Sequence, residues 1–214
     1  MTTNVLVVDY GVGNVLSVCR SFEYCGANVK LSDSLDDITR ADRVVLPGVG
    51  AINHCMDELE KRGMIEPLAH FSQTERPFLG ICVGMQMMMD ISWEFSESKC
   101  FGWISGEVVE IPRQGSNKQP HKIPHIGWNT LELPVSRSNW DGTILEGIGE
   151  DEPLYFVHSF MVDPQDDNSR LSNTRYNGIN ICATLNRGAI NGTQFHPEKS
   201  GAVGLRIIQN FINM

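Results

Sequence analysis

Short, wholly apolar runs alternate with stretches of helical period along the first half of the chain. Asn4 to Asp9 holds Val5-Leu6-Val7-Val8, Arg43 to Leu46 ends at Pro47-Gly48, and Phe78 to Ile81 has no polar residue. With Asn28 to Leu31, these runs read as four strands. Asn14 to Cys25, Ser34 to Thr39, Ala51 to Arg62 and Gly84 to Ile91 read as helices. Gly26 and Gly63 stand where a helix stops, and Ser34 with Asp37 has capping-box spacing. Strands with no polar face need cover on both sides. The pattern therefore predicts an α/β fold, with a mostly parallel central sheet flanked by helices.

The second half changes character. Gly106 to Ile111, Leu154 to Val162, Ile179 to Leu185 and Ala189 to Phe195 are strand-like and separated by turn residues, which predicts antiparallel strands added to the parallel core. Val203 to Ile212 reads as a closing amphipathic helix, and Arg113 to Pro120 as an exposed loop. No repeat or linker divides the chain, so residues 1–214 read as a single domain.

Composition narrows the function. Among 214 residues, 41% are hydrophobic and 20% charged, enough apolar material for a core. The net charge of −9, from 17 basic and 26 acidic residues, argues against nucleic acid or an anionic membrane as partner. No signal peptide and no spanning segment is read. The six cysteines form no C-x-x-C pair, so reduced thiols and a cytoplasmic location are expected, with no metal site.

Three segments carry candidate chemistry. Gly80-Ile81-Cys82-Val83-Gly84 fits the thiol form of the nucleophile elbow, preceded by an apolar strand and followed by a helix-forming run. Glycines on either side relieve the crowding of a sharp strand-to-helix turn, and a helix N-terminus favours the thiolate. A buried structural cysteine in a Gly-rich turn is the competing reading. In Gln194-Phe195-His196-Pro197-Glu198, Pro197 biases His196 towards an extended backbone, which puts His196 and Glu198 on one face. That suits a base and its orienting acid, although a solvated turn would look similar. Pro47-Gly48-Val49-Gly50 follows a strand. If it lies beside the elbow, N–H groups of Val49 or Gly50 can join that of Val83 in an oxyanion hole.

Gly-Ile-Cys-Val-Gly-Met-Gln, Pro-Gly-Val-Gly, Pro-His-Ile-Gly-Trp-Asn, Tyr-Phe-Val-His-Ser and Gln-Phe-His-Pro-Glu-Lys-Ser together resemble the class I (triad) glutamine amidotransferases, whose fold is flavodoxin-like. More narrowly, they resemble the glutaminase subunits of imidazole glycerol phosphate synthase. The resemblance runs from Asp9 to the C-terminal helix.

It implies that Cys82 attacks the side-chain amide of L-glutamine, that His196 moves the proton, and that Glu198 orients His196. It implies substrate binding by Gly50, Gln86, Glu94, Tyr155 and Ser159, with no cofactor. It also implies that ammonia passes to a (β/α)8 cyclase, docked near Asn14, His125, Trp128 and Lys199, in histidine biosynthesis. Departures from the pattern are Val83 in place of Leu, Phe160 in place of Tyr, and a longer loop at Arg113–Pro120. Three other functions stay open: ammonia supply for amidination of an acetamido sugar in surface polysaccharide synthesis, a Cys hydrolase or chaperone of the same fold, and a silent scaffold.

Overall fold

A computed structural model describes residues 3–214. The apolar runs form the strands they predict. β1 (Asn4–Val8) leads through α1 (Val15–Tyr24) to β2 (Asn28–Ser32), and α2 (Leu35–Arg40) leads to β3 (Val44–Gly48). α3 (Ile52–Lys61) and α4 (Ile65–Ser72) precede β4 (Phe78–Cys82), which turns into the single-turn helix α5 (Val83–Gln86). Gly26 and Gly63 take φ values of +88° and +68°, as helix stops do. Ser34 occupies the N-cap of α2 without a side-chain cap bond. Asp37 serves as an acceptor elsewhere, taking Lys30 Nζ at 2.7 Å and Ser32 Oγ at 2.5 Å.

The second half supplies β5 (Ile91–Ser92), β6 (Ser98–Lys99), β7 (Gly106–Glu110) and β8 (His125–Asn129), then β9 (Leu154–His158) and β10 (Phe160–Pro164). β11 (Arg170–Tyr176), β12 (Ile179–Arg187), β13 (Ile190–Thr193) and α6 (Gly201–Asn213) follow. The main sheet has the order β11-β12-β13-β4-β3-β1-β2. Its β2-β1-β3-β4-β13 portion is parallel, while β12 and β11 continue it antiparallel. β10-β7-β5-β6 form a second sheet, and β8-β9 a two-stranded ribbon.

Two predicted elements change. The helix expected over Gly84–Ile91 stops after one turn. The carbonyls of Met87, Met88 and Met89 accept N–H groups of Phe101, Gly102, Trp103 and Ile104 instead of continuing the helical ladder. Met85, Met87, Met88 and Met89 are all fully buried. The strand expected over Leu154–Val162 breaks at Ser159, so β9 pairs with β8 while β10 pairs with β7. α4, β5, β6, β8 and β11 are additional.

α6 packs tightly on the segment before it. A Cβ at Gly204 would run into the Pro197 carbonyl oxygen, so only glycine permits this approach. Among the described residues, no helix is long and apolar enough to cross a membrane.

Candidate active site

Parallel pairing brings three chain segments to one sheet edge. β3 runs beside β4 with Gly48 opposite Cys82, and β13 runs beside β4 with Thr193 opposite Ile81. The residues leaving β3, β4 and β13 therefore emerge together, at the carboxyl ends where α/β sheets build their sites. Val49, Gly50, Cys82, Val83, Gln86, Glu94, Ser159 and His196 line one cleft of about 550 Å³.

Cys82 sits at φ +56°, ψ −111°, an unfavourable setting for a residue with a side chain, as the elbow requires. Its flanking glycines are sterically necessary. A Cβ at Gly80 would lie 2.5 Å from the Gly84 carbonyl oxygen, and one at Gly84 would collide with that of Leu46. Because α5 has only four residues, its dipole is that of a few peptides, smaller than the predicted longer helix would carry.

His196 and Glu198 are buried rather than solvated, with side chains 4% and 1% exposed, and His196 Nδ1 lies 2.8 Å from Glu198 Oε1. The second carboxylate oxygen, Oε2, is buried and has no partner among the described residues. The His196 backbone is fixed by its N–H to the Tyr155 carbonyl (2.9 Å), and Ser200 Oγ donates to the His196 carbonyl (2.7 Å). Burial alone would lower the imidazole pKa. Hydrogen bonds to Cys82 and Glu198, and the charges of both, outweigh it and raise the value from 6.5 to about 9.

The folded value lies above the unfolded one. The pairing therefore contributes stability that is complete below pH 6.5 and lost as pH rises through about 9. An NMR titration is expected to place the His196 midpoint well above 7, and a midpoint at or below 6.5 would refute this electrostatic account.

The Pro47–Gly50 turn is anchored from behind. Tyr10 Oη donates to the Pro47 carbonyl at 2.8 Å, and Cys55 Sγ to the Val49 carbonyl at 3.4 Å. Gly50 has φ +82°, with open space where a Cβ would stand. Glu94 Oε2 accepts the Ile52 N–H at 2.7 Å. Burial pushes the Glu94 carboxyl above its usual value, against the lowering effect of that bond. Gln86 commits its amide nitrogen internally, to the Phe160 carbonyl and to Gln194. Phe160 and Phe95 pack edge-on at 6.2 Å, and both line the cleft.

Two residues sit differently from what the resemblance suggested. Tyr155, expected with the substrate, is not among the cleft-lining residues. Its ring packs on Trp128 at 5.8 Å and lies under Lys199 Nζ at 6.0 Å. His125, expected on a docking face, is 3% exposed. The two-residue period of β8 turns Ile126 and Trp128 outward, the latter 58% exposed, and His125 inward onto His158. Lys199 and Asn14 are exposed as expected. Sequence reasoning gave no role to Gln194, although it lies within the Gln-Phe-His-Pro-Glu run; its partners are visible only after folding.

The family model for glutamine amidotransferase class-I matches residues 6–214. The chain is similar to imidazole glycerol phosphate synthase subunit HisH 1 of Legionella pneumophila (strain Lens), at 48% identity over 99% of this chain and 100% of that protein. It is 44% identical to subunit HisH of Pelagibacter ubique (strain HTCC1062), again over 99% and 100%. Among solved structures, PurLQS from Thermotoga maritima shares the fold with a TM-score of 0.72 at 18% identity, covering 100% of this chain and 99% of that one.

Proposed function

The chain belongs to the class-I glutamine amidotransferase family, and from that premise we propose that it is the glutaminase subunit of an imidazole glycerol phosphate synthase. The observation that carries this reading is the convergence of Cys82, His196, Val49, Gly50 and Glu94 on one cleft, with Glu198 bonded to His196 behind it.

Cys82 Sγ attacks the carboxamide carbon of glutamine. The developing oxyanion is met by the N–H of Val83 and by one from Val49 or Gly50. One such donor is typically worth about 10²–10³ in rate. His196 passes a proton to the leaving ammonia, and Glu198 holds the imidazole through Nδ1. Water then releases glutamate from the thioester. Glu94 has one carboxylate oxygen not committed to Ile52, placed to accept the substrate's α-ammonium group. Gly50 and Ser159 line the same cavity. Gln86 offers substrate its Oε1, since its nitrogen is already engaged.

Ammonia released into water is protonated and lost as a nucleophile, so it passes to a docked (β/α)8 cyclase, where the lyase half of the reaction belongs. Exposed Trp128 and Ile126, with Tyr155, Lys199 and Asn14, suit that docking face. Both relatives above carry the synthase name, which favours the histidine route over an acetamido-sugar acceptor.

The Val49–Gly50 segment gates the reaction: glycines on either side allow a peptide to rotate at low steric cost. Glutamate release measured with and without the co-expressed cyclase is expected to rise strongly in the complex. Equal rates would remove the gating, and no release in either would remove the glutaminase assignment.

A further inference from the structure

The amide of Gln194 is fully buried, and its Nε2 lies 3.7 Å from Cys82 Sγ. Which end of the amide faces the sulfur follows from the surrounding bonds. The Phe160 carbonyl oxygen can only accept, so the Gln86 atom 3.1 Å from it is the NH₂ nitrogen. That nitrogen also reaches Gln194 at 2.8 Å, so the Gln194 atom there is the acceptor Oε1. The opposite end, turned to the sulfur, is therefore the donor.

The same carbonyl of Phe160 takes His158 Nδ1 at 2.8 Å. His158 Nε2 then accepts from His125 Nδ1 at 3.0 Å, and His125 Nε2 from Asn129 Nδ2 at 3.4 Å. Each ring uses one donor and one acceptor, as two neutral imidazoles require.

We propose that Gln194 is a further catalytic residue: its Nε2–H donates to Cys82 Sγ and favours the thiolate, while Gln86, His158 and His125 are positioning residues that keep the amide from flipping. This rests on Cys82 being the nucleophile. The thiolate exists before attack and again when the thioester is hydrolysed, and at both points a buried sulfur anion gains from a second donor beside His196. The Gln194 donor does not titrate, so it persists. It serves again at hydrolysis, when the Sγ–acyl bond breaks and its electron pair returns to sulfur.

The test uses the full chain with its co-expressed cyclase. Alkylation of Cys82 by iodoacetamide is followed against pH by site-resolved mass spectrometry, beside kcat and KM. Gln194→Met removes the donor at similar length. Gln194→Glu keeps the shape and the bond from Gln86 but sets a carboxylate on the sulfur, and it reads out even where the methionine variant fails to fold. The titratable groups facing this region are unchanged in both: His196 with Glu198, Tyr10 after β1, Cys55 on α3, Glu94, and the His158–His125 pair of β9 and β8.

The alkylation midpoint is expected to rise by about one pH unit in Gln194→Met and further in Gln194→Glu. kcat should fall about tenfold or more, with KM for glutamine little changed. An unchanged midpoint in a folded variant, or a glutamate variant milder than the methionine one, overturns the proposal. Loss of the nucleophile assignment itself would show separately, as glutaminase activity surviving Cys82→Ala.

Discussion

Cys82→Ala lowers glutamate release by at least about 10⁴-fold and leaves the fold and the cyclase complex intact. The size of the effect follows from the chemistry. Residues that act as one covalent unit fail together, and what remains is the modest contribution of binding and oxyanion donors. The absence of a folding defect follows from the site. The thiol faces the cleft, and alanine occupies the same positive-φ setting without adding volume. A coupled assay for glutamate, run beside a binding titration with the cyclase, measures both quantities. Retained hydrolysis would mean that another group carries the acyl intermediate or that none forms. Lost hydrolysis with a lost complex would mean that the substitution acts on the fold.

Gly84→Ala is the largest expected effect on stability, at about 3 kcal/mol or more. The added methyl meets the Leu46 carbonyl oxygen, with the Leu46 carbonyl carbon at 3.1 Å. Both atoms belong to the backbone of β3, a fully buried strand with β4 on one side and β1 on the other. No side chain can swing aside, so relief requires moving β3 or unwinding the elbow. Moving β3 also displaces Gly48 and the oxyanion turn behind it, so activity is expected to fall with stability. Urea unfolding monitored by circular dichroism gives the midpoint shift. A change within about 0.5 kcal/mol would show that the elbow is not held by this close approach.

The parallel core was legible because burial on both faces leaves a strand no room for polar residues. β1, β3 and β4 show this directly, and α1 and α3 announce their ends with Gly26 and Gly63. β11 gives no such signal. Its Ser172, Asn173 and Thr174 are buried, with Ser172 Oγ bonded to Thr184 Oγ1 at 2.8 Å and Thr174 Oγ1 to the Thr130 carbonyl at 2.8 Å. The hydroxyls of Ser172 and Thr174 became interior because partners outside the strand satisfy them, and no local pattern carries that information.

α4 did have a usable pattern in Met64, Leu68 and Phe71, all fully buried, but Pro67 in its first turn and Gly63 before it favour a loop reading. The candidate site divides in the same way. Cys82, His196 and Glu198 stand in short recognisable runs. His125 was put near the docking face by the resemblance alone, beside Trp128, and its ring turns inward. Its place depends on which face of β8 meets β9, and hence on a strand pairing to residues 154–158.

The position of β13 has a kinetic consequence. This late strand lies in the interior of the main sheet, between β12 and β4, rather than at its rim. Until it inserts, one side of β4 offers free backbone donors and acceptors along a segment with no charged residue, so a half-assembled molecule exposes an adhesive border. Closing the sheet requires contacts across more than half the length of the polypeptide, which slows refolding. Yield on refolding should therefore decline steeply with protein concentration, and a holding chaperone that shields β4 should restore it.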